Sequence, residues 1–188
     1  MTQARSQAVV VGASAGAVEA LSVILPALPE DFPLPIFVVV HIPPDRRSII
    51  ADLFRAKCKL AVQEVEDKDP ALPGTIYFAP PDYHLLVEAG GTLSLSSDEP
   101  VLFSRPSIDV LFESAADAYG PALIAIILTG ANSDGANGLA AVIKAGGTAI
   151  VQDPAAALAS AMPEAAIRMC PGAHVMSLDA IAEYLKEV

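Results

Sequence analysis

The stretch Ala8 to Gly16, AVVVGASAG, decides how the rest of this chain is read. Its short β-branched run carries no alternation of apolar and polar residues, so it suits a strand buried on both faces. Gly12 ends the run, and a helix-compatible stretch from about Ala17 to Leu28 follows, which makes a strand, a tight turn and a helix. Ile36 to His41, IFVVVH, repeats the unit: Pro43 and Pro44 break the chain before helix-compatible residues around Arg46 to Lys57. Buried-type strands recur at Leu123 to Leu128 (LIAIIL) and Thr148 to Val151 (TAIV), again ahead of helix-compatible segments. Continuous apolar strands alternating with helices specify an α/β fold with a doubly wound, mainly parallel sheet covered on both faces.

Two segments depart from that rhythm. Thr75 to Ser97 clusters β-formers around Pro80, Pro81, Gly90 and Gly91, which predicts a small antiparallel hairpin excursion or flap. Leu178 to Val188 places Ile181, Tyr184 and Leu185 at helical spacing with Glu183, Lys186 and Glu187 opposite, as a docked amphipathic helix requires. No internal repeat or long linker divides the sequence, so residues 1–188 are expected to form a single catalytic domain.

Composition narrows the function classes. Hydrophobic residues make up 53% and charged residues 18%, far from the signature of disorder. The net charge of −11 argues against a nucleic-acid partner, which would require a basic patch to displace counterions. The longest apolar runs are much shorter than the roughly 20 residues of a membrane span, and no cationic segment precedes an apolar one at the N-terminus, so a cytoplasmic protein without membrane insertion is expected. Cys58 and Cys170 read as reduced packing residues. No metal-ligand spacing and no cofactor fingerprint is present.

In open α/β sheets, ligands bind beyond the carboxyl ends of the strands. Three residues there carry chemistry: Ser14 after the first strand, His41 after the second, and Asp134 in the loop Thr129 to Gly135. The G-x-S-x-G spacing from Gly12 to Gly16 suits a serine on a sharp strand-to-helix turn, its hydroxyl projecting beside a helix N-terminus that can stabilise an oxyanion. A dinucleotide fingerprint would want glycine where Ser14 stands and an acid where His41 closes its strand. His41 can take the proton of Ser14, and Asp134 can fix its tautomer. His84 and His174 flank no plausible nucleophile and are assigned structural roles. Asp153, after the TAIV strand, competes with Asp134 on position, but Pro154 gives it a structural task at the strand exit. The order Ser, His, Asp differs from the common triads, but such triads are defined by geometry, not by chain order.

These residues resemble the catalytic domain of the chemotaxis protein-glutamate methylesterases, the CheB family. The resemblance is carried by VVVGASAGAVEAL with Ser14, VVVHIPP with His41, FSRPSIDVLFESAADAYG, ILTGANSDGANGL with Asp134, and QDPAAALASAMPEAAI, which together cover nearly the whole chain. It implies a three-layer α/β/α domain and a catalytic triad of Ser14, His41 and Asp134. It also implies demethylation of glutamate methyl esters, and deamidation of selected glutamines, on the cytoplasmic helices of chemotaxis receptors. Ala15, Ala17, Ala131 and Asn132 stand where the family typically has threonine, glycine, methionine and glycine, so substrate choice or rate is expected to differ. No receiver domain is recognised ahead of the first strand, and control by a separate receiver protein is the corresponding expectation. Two alternatives belong to other classes: an esterase or amidase of the same fold with another acyl substrate, and a catalytically weak signalling module.

Overall fold

The computed structural model of the chain describes residues 7–43 and 48–188. Among the described residues, nine strands and six α-helices follow one another as β1 (Ala8–Ala13), α1 (Ala17–Ile24), β2 (Ile36–Val40), α2 (Ile50–Arg55), β3 (Ala61–Glu64), β4 (Thr75–Phe78), β5 (His84–Val87), β6 (Leu93–Ser96), α3 (Ile108–Tyr119), β7 (Leu123–Ile127), α4 (Ala136–Lys144), β8 (Thr148–Gln152), α5 (Ala161–Met169), β9 (His174–Met176) and α6 (Leu178–Lys186). Seven strands form one sheet in the order β3-β4-β2-β1-β7-β8-β9, and every pairing in it is parallel. The hairpin β5-β6 is a separate antiparallel sheet.

The valines of β1 show why the sheet has two cores. Side chains on a strand alternate between faces, so Val9 and Val11 join one apolar layer and Val10 the other. The first layer is closed by Leu21 and Ile24 of α1, Phe54 of α2, and Ile181 and Leu185 of α6. The second is closed by Leu111 and Phe112 of α3, Leu139 and Val142 of α4, Met162 and Ala166 of α5, and Leu85 and Leu93 of the hairpin. This is the expected three-layer α/β/α arrangement. All three valines are within 1% of complete burial, and each such side chain contributes roughly 1.5–3 kcal/mol relative to an exposed one. Among the described residues, no helix is long and apolar enough to cross a membrane.

One expectation needs correction. The TIYF segment at residues 75–78 is not part of the antiparallel excursion: it is β4, a buried parallel strand in register with β2, Ile76 facing Ile36 and Phe78 facing Val38. Only HLLV and LSLS form the hairpin. Strand β3 was not anticipated, because AVQE is a four-residue edge segment with one exposed and two half-buried residues and so lacks a continuous apolar signal. The helix expected over 46–57 is described from Ile50 to Arg55, and its expected start lies outside the described residues.

The position of the site follows from the strand order. From β1 the chain steps to β2 on one side, and the later strands β7, β8 and β9 extend the sheet from the other side of β1. The carboxyl ends of β1 and its two neighbours therefore border the crevice where connections leave in opposite directions.

Candidate active site

Ser14 and His41 are the first residues beyond two paired strands. The β1–β2 register sets Ala13 opposite Val40, and the His41 N–H donates to the Ala13 carbonyl at 3.2 Å. On the other side of β1, Gly12 stands opposite Ile127 of β7, and the Ser14 N–H donates to the Thr129 carbonyl at 2.9 Å. The serine is thus tied by its backbone to the β7 loop while its neighbour His41 is tied to β1. A Cβ on Gly12 would sit 2.4 Å from Ile108 Cγ2, so only glycine lets the start of α3 pack on the strand end. Gly16 caps α1 with φ +83°, and a Cβ there would lie 2.8 Å from Leu158 Cβ. Both glycines of the pentapeptide are therefore set by fit, one by close approach and one by backbone conformation.

Asp134 is fully buried and accepts four hydrogen bonds. His41 Nε2 donates to Oδ2 at 2.7 Å, the Ile108 N–H to Oδ2 at 2.7 Å, and the Asp109 N–H and Ser107 Oγ to Oδ1 at 3.0 Å each. Two of these donors are the unsatisfied N–H groups of the first turn of α3, so the carboxylate caps that helix across 25 and 26 residues of sequence and meets the positive end of its dipole. Burial pushes the carboxyl pKa upward, but the His41 hydrogen bond and the backbone donors of Asp109 and Ile108 outweigh it and hold it below the usual value. Asp134 is a carboxylate at neutral pH.

Asp109 returns the arrangement. Its Oδ1 accepts from the N–H groups of Gly135 (2.9 Å) and Gly138 (2.7 Å), at the start of α4. The two aspartates cap each other's helices. Burial and the nearby Asp134 charge raise the Asp109 carboxyl to about 6, against the pull of the two glycine N–H groups.

Because a carboxylate only accepts, the Asp134 contact puts the imidazole proton on Nε2 and leaves the Nδ1 lone pair free to accept. Asn132 stands on that side, with Nδ2 3.4 Å from Nδ1, while its Oδ1 accepts the Asp134 N–H at 3.0 Å. Among the described residues no hydrogen bond joins Ser14 Oγ to the imidazole. Beside His41 opens a cavity of about 310 Å³ whose wall includes Ile42, Pro43, Asp82, Arg105 and Pro106.

The other sequence candidates fall elsewhere. Asp153 Oδ1 accepts the Ala155 N–H at 2.9 Å and caps its own short turn, as its place before Pro154 suggested. His84 opens the hairpin strand β5 and is buried, accepting the Ser107 N–H on Nδ1 at 3.1 Å and donating from Nε2 to the Glu99 carbonyl at 2.9 Å. His174 opens the exposed edge strand β9. Four residues were not foreseen. Ser107 and Asp109 flank the first residue of α3, and this S-x-D reads as an ordinary helix cap, whereas Ser107 makes no cap of its own and bonds Asp134 instead. The Thr129 N–H donates to the buried Gln152 Oε1 at 2.9 Å, and the Thr129 hydroxyl donates to the Ala15 carbonyl at 2.8 Å and accepts the Ala159 N–H at 2.9 Å. No local signal marks either residue, since their partners lie on other loops.

The family described as CheB methylesterase matches residues 9–185. The chain belongs to the CheB methylesterase family. A Leptospira interrogans protein named putative protein-glutamate methylesterase/protein-glutamine glutaminase is 46% identical over 177 residues, covering 94% of this chain and 92% of that protein. An Anaeromyxobacter dehalogenans protein named protein-glutamate methylesterase/protein-glutamine glutaminase 1 is 41% identical across 95% of this chain, which spans about half of it (51%). The crystal structure of the Thermotoga maritima CheB methylesterase catalytic domain superposes with a TM-score of 0.92 at 35% identity, covering 98% of this chain and 99% of that one.

Proposed function

We propose that this member of the CheB methylesterase family hydrolyses γ-methyl esters of glutamate side chains on chemotaxis receptors, with Ser14 as nucleophile, His41 as general base and acid, and Asp134 as the orienting carboxylate. The observation that carries the reading is the pairing of strand ends: Ser14 and His41 leave adjacent strands side by side while Asp134 holds the imidazole from behind at 2.7 Å. Nδ1 takes the serine proton as Oγ attacks the ester carbonyl. The resulting imidazolium is stabilised by the buried carboxylate and returns the proton to the departing methoxide, releasing methanol. Water then repeats the sequence on the acyl-enzyme, freeing the glutamate carboxylate and Ser14. Ala15 follows the nucleophile at the N-terminus of α1, and its N–H has no protein acceptor among the described residues, which supports a role as oxyanion donor. A glutamine side chain entering the same site would form the same acyl-enzyme and expel ammonia.

Methanol release from methylated receptor cytoplasmic fragments tests the reading. Ser14→Ala, folded and of native stability, is expected to lower turnover by a factor on the order of 10⁴ or more, as loss of a triad nucleophile does. Turnover of activated small esters with none on the receptor would favour a same-fold esterase of different substrate, and failure of a fluorophosphonate to label Ser14 would favour a module without catalytic activity.

A further inference from the structure

Between the hairpin and α3, Val101 and Ser104 close a two-residue turn, each N–H bonded to the other's carbonyl at 3.0 and 2.9 Å. Both central residues have positive φ, +47° at Leu102 and +64° at Phe103. Such turns ordinarily take Asn, Asp or Gly there, because a larger side chain is strained in that region. This one instead carries two large apolar residues, with Phe103 fully exposed and Leu102 about half exposed. The tip is held from behind: Arg105 pairs with Asp82 at 2.7 Å and donates to the Ser97 and Asp98 carbonyls at 2.9 and 3.1 Å. Strained backbone and apolar surface left in water both oppose folding, and the turn combines them beside the candidate active site, since Phe103 lines the same cavity as His41.

Two other loops complete the pattern. Ile49, 70% exposed, stands with Val18 and Leu53 around a second cavity of about 390 Å³ that meets the first at His41, Ile42 and Pro43. Leu158, 77% exposed, lies against Gly16, two residues from Ser14. A small ester needs none of this surface. A glutamyl ester on a protein does, because its carbonyl lies only three carbon–carbon bonds of about 1.5 Å from the backbone, and a helix with its side chains is about 10–12 Å across. A helix that delivers the ester to Ser14 must rest on the rim, and its residues three and four positions from the glutamate then meet whatever the rim presents.

We infer that the Leu102–Phe103 turn is a docking element for the receptor helix, its two side chains covering apolar residues that flank the esterified glutamate. The inference rests on the reading of the chain as a receptor methylesterase. The occupant is fixed by continuity: the turn and the candidate catalytic histidine share one cavity, so what the turn touches is attached to what the site acts on.

The experiment compares Phe103→Asn and the double variant Leu102→Asn/Phe103→Asn with the parent. Asparagine accepts positive φ, so the variants keep the turn and their Tm is expected to hold or rise. Three quantities are read: kcat/KM for methanol release from a methylated receptor fragment, Kd for that fragment measured on a Ser14→Ala background, and kcat/KM for p-nitrophenyl acetate. The expected result is a loss of at least tenfold in the first two, about 1.4 kcal/mol, carried mainly by KM, with the small-ester value staying within about threefold. Receptor binding unchanged in a variant of native Tm overturns the inference, as does an equal fall on both substrates, which would make the turn a support for the catalytic groups. A parent that neither binds nor demethylates the receptor fragment overturns the methylesterase reading, and the docking inference with it. Failure in the variants alone leaves that reading standing.

Discussion

The loops after β7 and β8 leave adjacent parallel strands, each carries an aspartate, and the two aspartates have entirely different surroundings. Asp134 accepts from His41, Ser107, Ile108 and Asp109, all from other parts of the chain. Asp153 accepts one N–H, two residues away. Position beyond a strand end therefore does not define the acid of such a site. What separates the two loops is the N-terminus of α3, which approaches Asp134 and supplies the donors that keep a buried carboxylate charged beside an imidazole.

The largest expected consequence is at Asp134. An amide there presents an NH₂ where the carboxylate accepted, so at least one of the four donors faces another donor and the imidazole loses the partner that fixes its tautomer. Asp134→Asn is expected to lower receptor turnover by a factor on the order of 10² to 10⁴, in line with the same change in a well-studied triad. Steady-state methanol release from folded protein checks this, and near-normal turnover would break the contrast between the two loops.

Next comes Thr129, where the two loops join. Its hydroxyl ties the Ala15 carbonyl beside the serine to the Ala159 N–H in the β8 loop, so this side chain links the β8 side to the turn that carries Ser14, beside the backbone bond from the Gly130 N–H to the Ala159 carbonyl at 3.0 Å. Thr129→Val keeps the shape and leaves a part-buried donor and acceptor unpaired, which is expected to cost about 1–3 kcal/mol of unfolding free energy. Urea denaturation reads that loss. A variant as stable as the parent would mean that water replaces the hydroxyl and that the backbone bond between Gly130 and Ala159 is enough to join the two loops.

How much of this was legible in the sequence follows from the range of each interaction. The buried strands and the triad candidates could be read because apolar runs report burial and strand ends report the crevice, both local signals. The hairpin was read too broadly because Pro80 and Pro81 after TIYF look like the exit of an antiparallel excursion, whereas the register shows β4 filling the position between β2 and β3. The shell around Asp134 was not legible. Ser107, Ile108 and Asp109 reach it across 25 to 27 residues, and the start of α3 looks locally like a self-capped helix. Likewise nothing in LTGAN or VQDP announces that Gln152 holds Thr129.

A smaller effect distinguishes the paired aspartates by their pH dependence. Asp109 titrates at about 6 in the folded chain against an ordinary value of 3.8, so the folded state binds this proton more tightly than the unfolded state. Its contribution to stability is full below its ordinary value and is lost as pH rises through about 6. Asp134 has the opposite sign: its depressed value gives stability that is present above the ordinary carboxylate range and lost as pH falls through the folded value. Asp109→Asn keeps an oxygen to accept from Gly135 and Gly138 but has no charge to titrate. It is expected to flatten the decline between about pH 4 and 6 and to gain about 1 kcal/mol at neutral pH, after allowance for the lost charge at the start of α4. Denaturation midpoints across that range check it, and parallel curves for parent and variant would place the titration elsewhere.

The smallest effect is the one that completes the comparison. At Asp153 the side chain serves a single N–H of a three-residue turn, and the link of this residue to the sheet is made by its backbone, whose N–H donates to the Met176 carbonyl at 2.8 Å. Asparagine caps as well as aspartate because its oxygen can accept the same bond, and a side chain that is not buried has little solvation to lose with its charge. Asp153→Asn is therefore expected to change stability by no more than about 0.5 kcal/mol and to leave receptor turnover within about twofold. Asp153→Ala, which removes the cap, is expected to cost about 1 kcal/mol with turnover still intact. The two substitutions together separate capping from catalysis: a loss of stability in the alanine variant alone marks a cap, whereas a loss of turnover in a folded asparagine variant marks an acid in contact with the imidazole. Should that second pattern appear at Asp153 while Asp134→Asn stays active, the two loops would have to exchange roles, and the buried carboxylate beneath His41 would be a helix cap only.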